Sequence, residues 1–107
     1  MNQIGLRKVF ALLGLGARAR TVVSGVDLVR TAVQKGRVSL VVVASDVSAN
    51  SRAKLEPLLT ARGIEMVEVP AAADLADAVG KPGVTAAVAV LDPALAKGIR
   101  AAAHAAV

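Results

Sequence analysis

Cysteine, tryptophan and tyrosine are absent from this 107-residue chain, and Phe10 is its one aromatic residue. Without cysteine, neither a disulfide framework nor a thiolate zinc site can form. Without exposed aromatic rings, single-stranded nucleic acid cannot be read on a stacking platform. Histidine is almost as scarce. His104 is alone, and one imidazole without clustered carboxylates builds no metal site, so it reads as a surface residue without a role. Long apolar runs are missing too: Leu40–Ala44 and Ala86–Leu91 have strand length and fall far short of a membrane span. Arg7 and Lys8 lie inside an amphipathic stretch with no signal-peptide core behind them. The expectation is a soluble, cytoplasmic protein that makes no membrane contact.

The hydrophobic fraction of 55% is supplied almost entirely by Ala, Val and Leu. Such a chain can offset its ordering entropy by burial, so disorder is not expected. The length suits a single α/β domain over residues 1–107. Net charge is +5, and it is unevenly spread. Residues 1–37 hold seven bases against Asp27 alone, whereas the remainder is nearly balanced. A basic region of this kind is an electrostatic footprint for a polyanion.

Along the chain, Ile4, Val9, Leu12, Leu13 and Leu15 predict a first amphipathic helix, ended by Gly14-Leu15-Gly16. Thr21–Ser24 reads as a short strand. Asp27–Lys35 reads as a second helix, with Val29, Ala32 and Val33 as its core stripe. Leu40–Ala44 is the clearest strand, β-branched and continuous, as expected of a strand buried on both faces. A third helix should run to about Ala61, kinked or delayed by Pro57. Ile64–Val69 predicts a strand, Ala72–Val79 a short helix and Thr85–Leu91 a fourth strand. Asp92-Pro93 opens a last helix as N-cap and first helical residue. The order αβαβαβαβα predicts a sheet covered by helices on both faces, in three layers.

Enzyme chemistry is nearly absent. Gly14-Leu15-Gly16-Ala17-Arg18-Ala19 matches a dinucleotide pattern on paper, but that pattern works only between a strand and the helix it opens. Here it stands between a helix and a strand. Asp46 follows the central strand, where open α/β sheets place functional groups, yet a turn or capping carboxylate near Ser45 and Ser48 is the better reading. No catalytic residue, cofactor or metal is expected. What remains is recognition by backbone amides, Arg and Lys charge, and small residues that allow close approach, tools suited to folded RNA. The segment Arg18–Gly36 supplies them. Arg18 and Arg20 lead into a short strand, Ser24-Gly25 turns, and a helix begins at once with its free N–H groups outward. Arg30 and Lys35 add charge, and Gly25 has no Cβ to hold an RNA backbone away.

At this segment the sequence resembles the kink-turn-binding ribosomal proteins of the large subunit, and more closely their small bacterial relatives of the YlxQ type. The resemblance rests on Leu12-Leu13-Gly14-Leu15 followed by Arg18, Arg20 and Val23-Ser24-Gly25, and on the glycine-bounded stretch Gly25–Gly36. Val41–Asp46, Arg62-Gly63-Ile64 and Leu75…Gly80 follow in the expected order. It implies an α/β/α sandwich around a four-stranded mixed sheet. It also implies an RNA face that includes Gly25, Asp27, Leu28 and Thr31, with Gly80-Lys81-Pro82 as a second contact, against structured RNA such as ribosomal RNA. The family's strong binders have Asn, Glu and Lys where this chain has Asp27, Leu28 and Thr31, so general RNA binding is better supported than kink-turn recognition. The alternative is a protein-interaction module of the same fold within the transcription or translation machinery.

Overall fold

A computed structural model describes residues 1–104, which form five helices and four strands in the predicted alternation. In order these are α1 (Gln3–Ala19), β1 (Val22–Ser24), α2 (Val26–Gln34), β2 (Leu40–Ala44) and α3 (Ala49–Arg62). They continue as β3 (Glu65–Val69), α4 (Ala72–Ala78), β4 (Ala87–Val90) and α5 (Pro93–Ala103). The sheet order is β1-β4-β2-β3. β4 runs antiparallel to both β1 and β2, and β2 pairs in parallel with β3. The sheet is therefore mixed.

Alternation along the central strands sorts the core into two layers. Leu40, Val42, Val88 and Val90 face α1, α4 and α5, where they meet Val9, Leu13, Leu75 and Ile99. Val41, Val43, Ala87 and Ala89 face α2 and α3, against Val29, Val33, Leu55 and Leu59. Every residue of β2 is buried, as its unbroken β-branched run requires. Each such Val or Leu side chain contributes about 1.5–3 kcal/mol by leaving water. Among the described residues, no helix is long and apolar enough to cross a membrane.

The first helix corrects the sequence reading. It does not end at Gly14-Leu15-Gly16 but continues to Ala19. Both glycines sit where the helix touches its neighbours. A Cβ on Gly16 would come within 2.6 Å of Leu95 Cδ2 and 2.8 Å of Val22 Cγ1, and one on Gly14 within 3.2 Å of the Ala78 carbonyl. Close packing, not helix termination, explains them. Ile4 and Leu15, two of the apolar residues that predicted this amphipathic helix, are exposed. Pro57 lies inside α3 without breaking it. Pro57 and Ala53 are both exposed, where the helix carbonyl left without a donor costs least. Asp92 and Pro93 start α5 as expected, with the Asp92 carboxylate accepting from the Ala94 N–H at 3.1 Å. Asp46 is structural: its Oδ1 accepts the Ala72 N–H at 2.9 Å and ties the end of β2 to the start of α4.

The β3 edge is held by charge. Arg100 Nε lies 2.6 Å and His104 Nε2 lies 2.8 Å from the Glu65 carboxylate, so His104 has a partner that sequence did not reveal. Arg52 bridges Glu68 at 2.8 Å and Glu56 at 2.6 Å. Hydrogen bonds from His104 and Arg100 hold Glu65 below the usual carboxylate range, and those from Arg52 and Ser45 do the same for Glu68. A depressed folded-state pKa gives stability that is present above the unfolded pKa and lost as pH falls through the folded one. The thermal midpoint should thus stay flat from about pH 7 to pH 5 and drop below about pH 4. Solvent screening keeps the drop small at these half-exposed sites. A Glu65→Gln, Glu68→Gln double variant should show a shallower acid limb; an unchanged limb would assign the acid sensitivity to other carboxylates.

Candidate nucleic-acid interface

β1 is an edge strand, three residues long, and its free edge forms the floor of a groove of about 300 Å³. Val22, Val23 and Ser24 make that floor, Arg20 just after α1 and Leu28 of α2 stand on its sides, and Lys81 closes it from the α4–β4 loop. Sequence reading named Arg20, Leu28 and Lys81 individually and the strand only as part of the segment 18–36; Ala17 and Val79, which also line the groove, lay outside it. Three short β-branched residues are recognisable as a strand. That the strand lies at an edge follows only from its pairing with β4.

The groove meets the start of α2 at Gly25. The Gly25 N–H donates to the Ala87 carbonyl at 2.9 Å, which sets this turn beside the loop leading into β4. Gly25 has φ 99° and ψ 146°, a conformation open essentially to glycine alone. A Cβ built there would meet no atom within 4 Å, so the space in front of the turn is open. As N-cap, Gly25 offers no side-chain acceptor to the first turn of α2. The carbonyl of Gly25 accepts from Val29, and the N–H groups of residues 26–28 precede the first bond of the helix ladder. They are orphan donors at the positive end of the helix dipole, an arrangement that suits an anion.

Arg20 is unusual in its backbone. It caps α1 with φ 62° and ψ 37°, the left-handed conformation that normally falls to glycine in this position. Among the described residues it is the one non-glycine residue with positive φ. Holding an L-residue there costs about 1–2 kcal/mol. Its N–H bonds to the Ala17 carbonyl at 3.2 Å, which closes the helix and leaves the side chain at the groove.

The remaining candidates are scattered. Asp27 and Leu28 are exposed on the first turn of α2, and Thr31 is exposed one turn on. The Thr31 hydroxyl donates to the Asp27 carbonyl at 3.1 Å. Arg18 is exposed in the last turn of α1 but does not line the groove. Arg30 turns toward α3, where its guanidinium donates to the Lys54 carbonyl. Lys35 caps the far end of α2, about 15 Å from Gly25 at 1.5 Å per residue. Gly80 takes φ 73° after α4, and exposed Lys81 and Pro82 extend the loop beside the groove. The structure thus brings Arg20, Gly25, Asp27, Leu28 and Lys81 to one end of the sheet. Arg30 and Lys35 stand apart from it.

A three-layer α/β/α sandwich with a groove at the open edge of β1 defines the class. Residues 7–99 match the ribosomal protein L7Ae/L30e/S12e/Gadd45 family, and the chain belongs to that family. The family is non-enzymatic, and so is this member. It is 38% identical over 72 residues to the RNA-binding protein YlxQ of Bacillus subtilis, covering 67% of this chain and 72% of that one. A protein of unknown function from Bacillus halodurans superimposes with a TM-score of 0.83 at 33% identity, over 89% of this chain and 95% of the other. A 15.5 kD RNA-binding protein from Giardia lamblia reaches a TM-score of 0.81 over 96% of this chain and 88% of its own, at 18% identity, which shows a common fold.

Proposed function

We propose that this protein binds structured RNA, with the β1 groove and the open start of α2 as the contact surface. The observation that carries the proposal is Arg20, an arginine held in a glycine conformation at the mouth of that groove. A chain selected for stability alone would place glycine there; a functional side chain is a reason to bear the strain. The similarity to a protein named for RNA binding supports the same reading. The chemistry is that of backbone recognition: Arg20 and Lys81 neutralise phosphates, the N–H groups of residues 26–28 donate to an anionic oxygen, and Gly25 permits close approach. Asp27, Leu28 and Thr31 face the bases, and Gly80-Lys81-Pro82 packs on the opposite side. Folded RNA of the ribosomal kind is the proposed ligand, met in the cytoplasm among components of transcription or translation.

Replacing Arg20 by glycine separates stability from function. Arg20→Gly should keep or raise the unfolding midpoint, because glycine relieves the left-handed strain. Affinity for folded RNA should fall about fivefold, the equivalent of one phosphate contact of about 1 kcal/mol. The slope of log affinity against log salt should shrink by up to about one unit. An unaltered affinity and slope would remove Arg20 from the interface and, with it, the main support for this site.

A further inference from the structure

The exposed large hydrophobic side chains fall into two groups. Leu28 lines the β1 groove and Val84 lies in the α4–β4 loop, whereas Met1, Ile4 and Leu15 lie on α1 or just before it. Ile4, Lys8, Ala11 and Leu15 are spaced at intervals of three and four residues and so share one helix face. That face borders a cleft along the seam with α5, about 370 Å³ in volume, lined by Lys8, Ala11, Leu12, Gly98, Ala101 and Ala102. A second hollow, between Leu15 and Ala19 of α1 and Leu95 of α5, extends the seam in the direction of Arg20. Glycines make the helices meet closely: a Cβ on Gly5 would stand 2.5 Å from the Ala102 carbonyl, and one on Gly98 3.3 Å from Leu12 Cδ1. Small residues also line the outer wall, which leaves a shallow apolar trough and not a filled ridge.

Charge selects what could lie in it. Neither α1 (Gln3–Ala19) nor α5 (Pro93–Ala103) contains an acidic residue; Asp92, the N-cap of α5, lines the second hollow but not the 370 Å³ cleft, and its carboxylate is engaged by the Ala94 N–H. Lys8 reaches the trough, Arg7 and Lys97 are exposed on the same two helices, and among the described residues none of the three is in a salt bridge. A second copy of this chain would bring like charges together across a symmetric contact. RNA would meet phosphates at Lys8 but would lay its sugars and bases on alanine and leucine, with no aromatic face or polar side chain to engage them. An amphipathic helix with leucine-like residues on one face and acidic residues flanking them satisfies both the trough and its rim.

We propose that the α1–α5 seam is a docking surface for an acidic amphipathic helix of a partner protein. α1 then serves two surfaces, since Ala17 and Arg20 turn to the β1 groove while Lys8, Ala11 and Leu15 turn to the seam. RNA and protein could be held at the same time. The claim does not depend on the RNA reading.

Two synthetic helical peptides test it, identical in their leucine face but flanked by Glu in one and by Lys in the other. The Glu peptide should bind the full chain at least tenfold more tightly, and should shift the amide resonances of Lys8, Ala11, Leu12, Gly98 and Ala101. A Lys8→Glu, Lys97→Glu variant should reverse the preference. Both changes are at exposed positions, and circular dichroism would confirm that the variant folds. Equal binding of the two peptides, or binding of neither, would overturn the proposal. So would perturbation of these same amides by a folded RNA, or sedimentation of the chain alone as a dimer that Ala11→Glu dissociates.

Discussion

Gly25→Val should lower affinity for folded RNA by at least tenfold and lower stability by about 1 kcal/mol or more. The two losses have separate causes. Stability falls because φ 99° with ψ 146° lies outside the range of an L-residue, and a β-branched one above all. The Cβ itself meets no other part of the protein within 4 Å, so the loss is one of backbone strain. Affinity falls because that empty space fronts the uncapped amides of residues 26–28, and an isopropyl group there would hold a phosphate off. A tenfold loss corresponds to about 1.4 kcal/mol, which is modest for losing close approach to several donors at once. Binding should be measured well below the unfolding midpoint of both proteins, at one salt concentration, with circular dichroism to confirm folding. Gly25→Ala should show most of the strain with less of the obstruction. Undiminished affinity in a folded Gly25→Val protein would take this turn out of the interface.

What could be read in advance follows the range of the interaction concerned. Leu40–Ala44 announced a strand buried on both faces because the requirement is written in five consecutive residues, and all five are buried. Asp92-Pro93 marked a helix start because capping is local. Gly14 and Gly16 misled because a glycine that ends a helix and one that admits a neighbouring element look alike in sequence. Only the neighbours brought up by the fold, Ala78 at Gly14 and Leu95 and Val22 at Gly16, show which it is. The candidate site divides in the same way. Gly25 and the start of α2 were legible as a turn. The joining of Arg20 with Lys81, some sixty residues apart, depends on the antiparallel pairing of β1 with β4. The basic first third does not fold into one patch. Its charges are near each other along the chain, but Arg30 is bonded toward α3 and Lys35 sits at the far end of α2.

Replacing Asp27, Leu28 and Thr31 together with Asn, Glu and Lys should raise the preference for a kink-turn RNA over a plain duplex by at least tenfold. The expectation rests on the scaffold. All three side chains are exposed on α2, Asp27 and Leu28 in its first turn beside Gly25 and Thr31 one turn on, and Leu28 stands on the wall of the β1 groove. Asp27 can accept but not donate hydrogen bonds, Leu28 can do neither, and the Thr31 hydroxyl is engaged with the Asp27 carbonyl at 3.1 Å. None of the substitutions disturbs the core, because the buried stripe of α2 is Val29, Ala32 and Val33. Asn at position 27 would add an amide donor, Glu at 28 an acceptor for guanine edges, and Lys at 31 a cation. A good base-edge contact contributes about 1–3 kcal/mol of discrimination, so one restored contact suffices for about tenfold. The two RNAs must be compared at a single salt concentration, since added charge strengthens binding to any RNA. A matched rise for both would report electrostatics alone and place the reading contacts elsewhere. No rise for either would mean that α2 does not face RNA, and the protein-interaction reading of this fold would then take precedence.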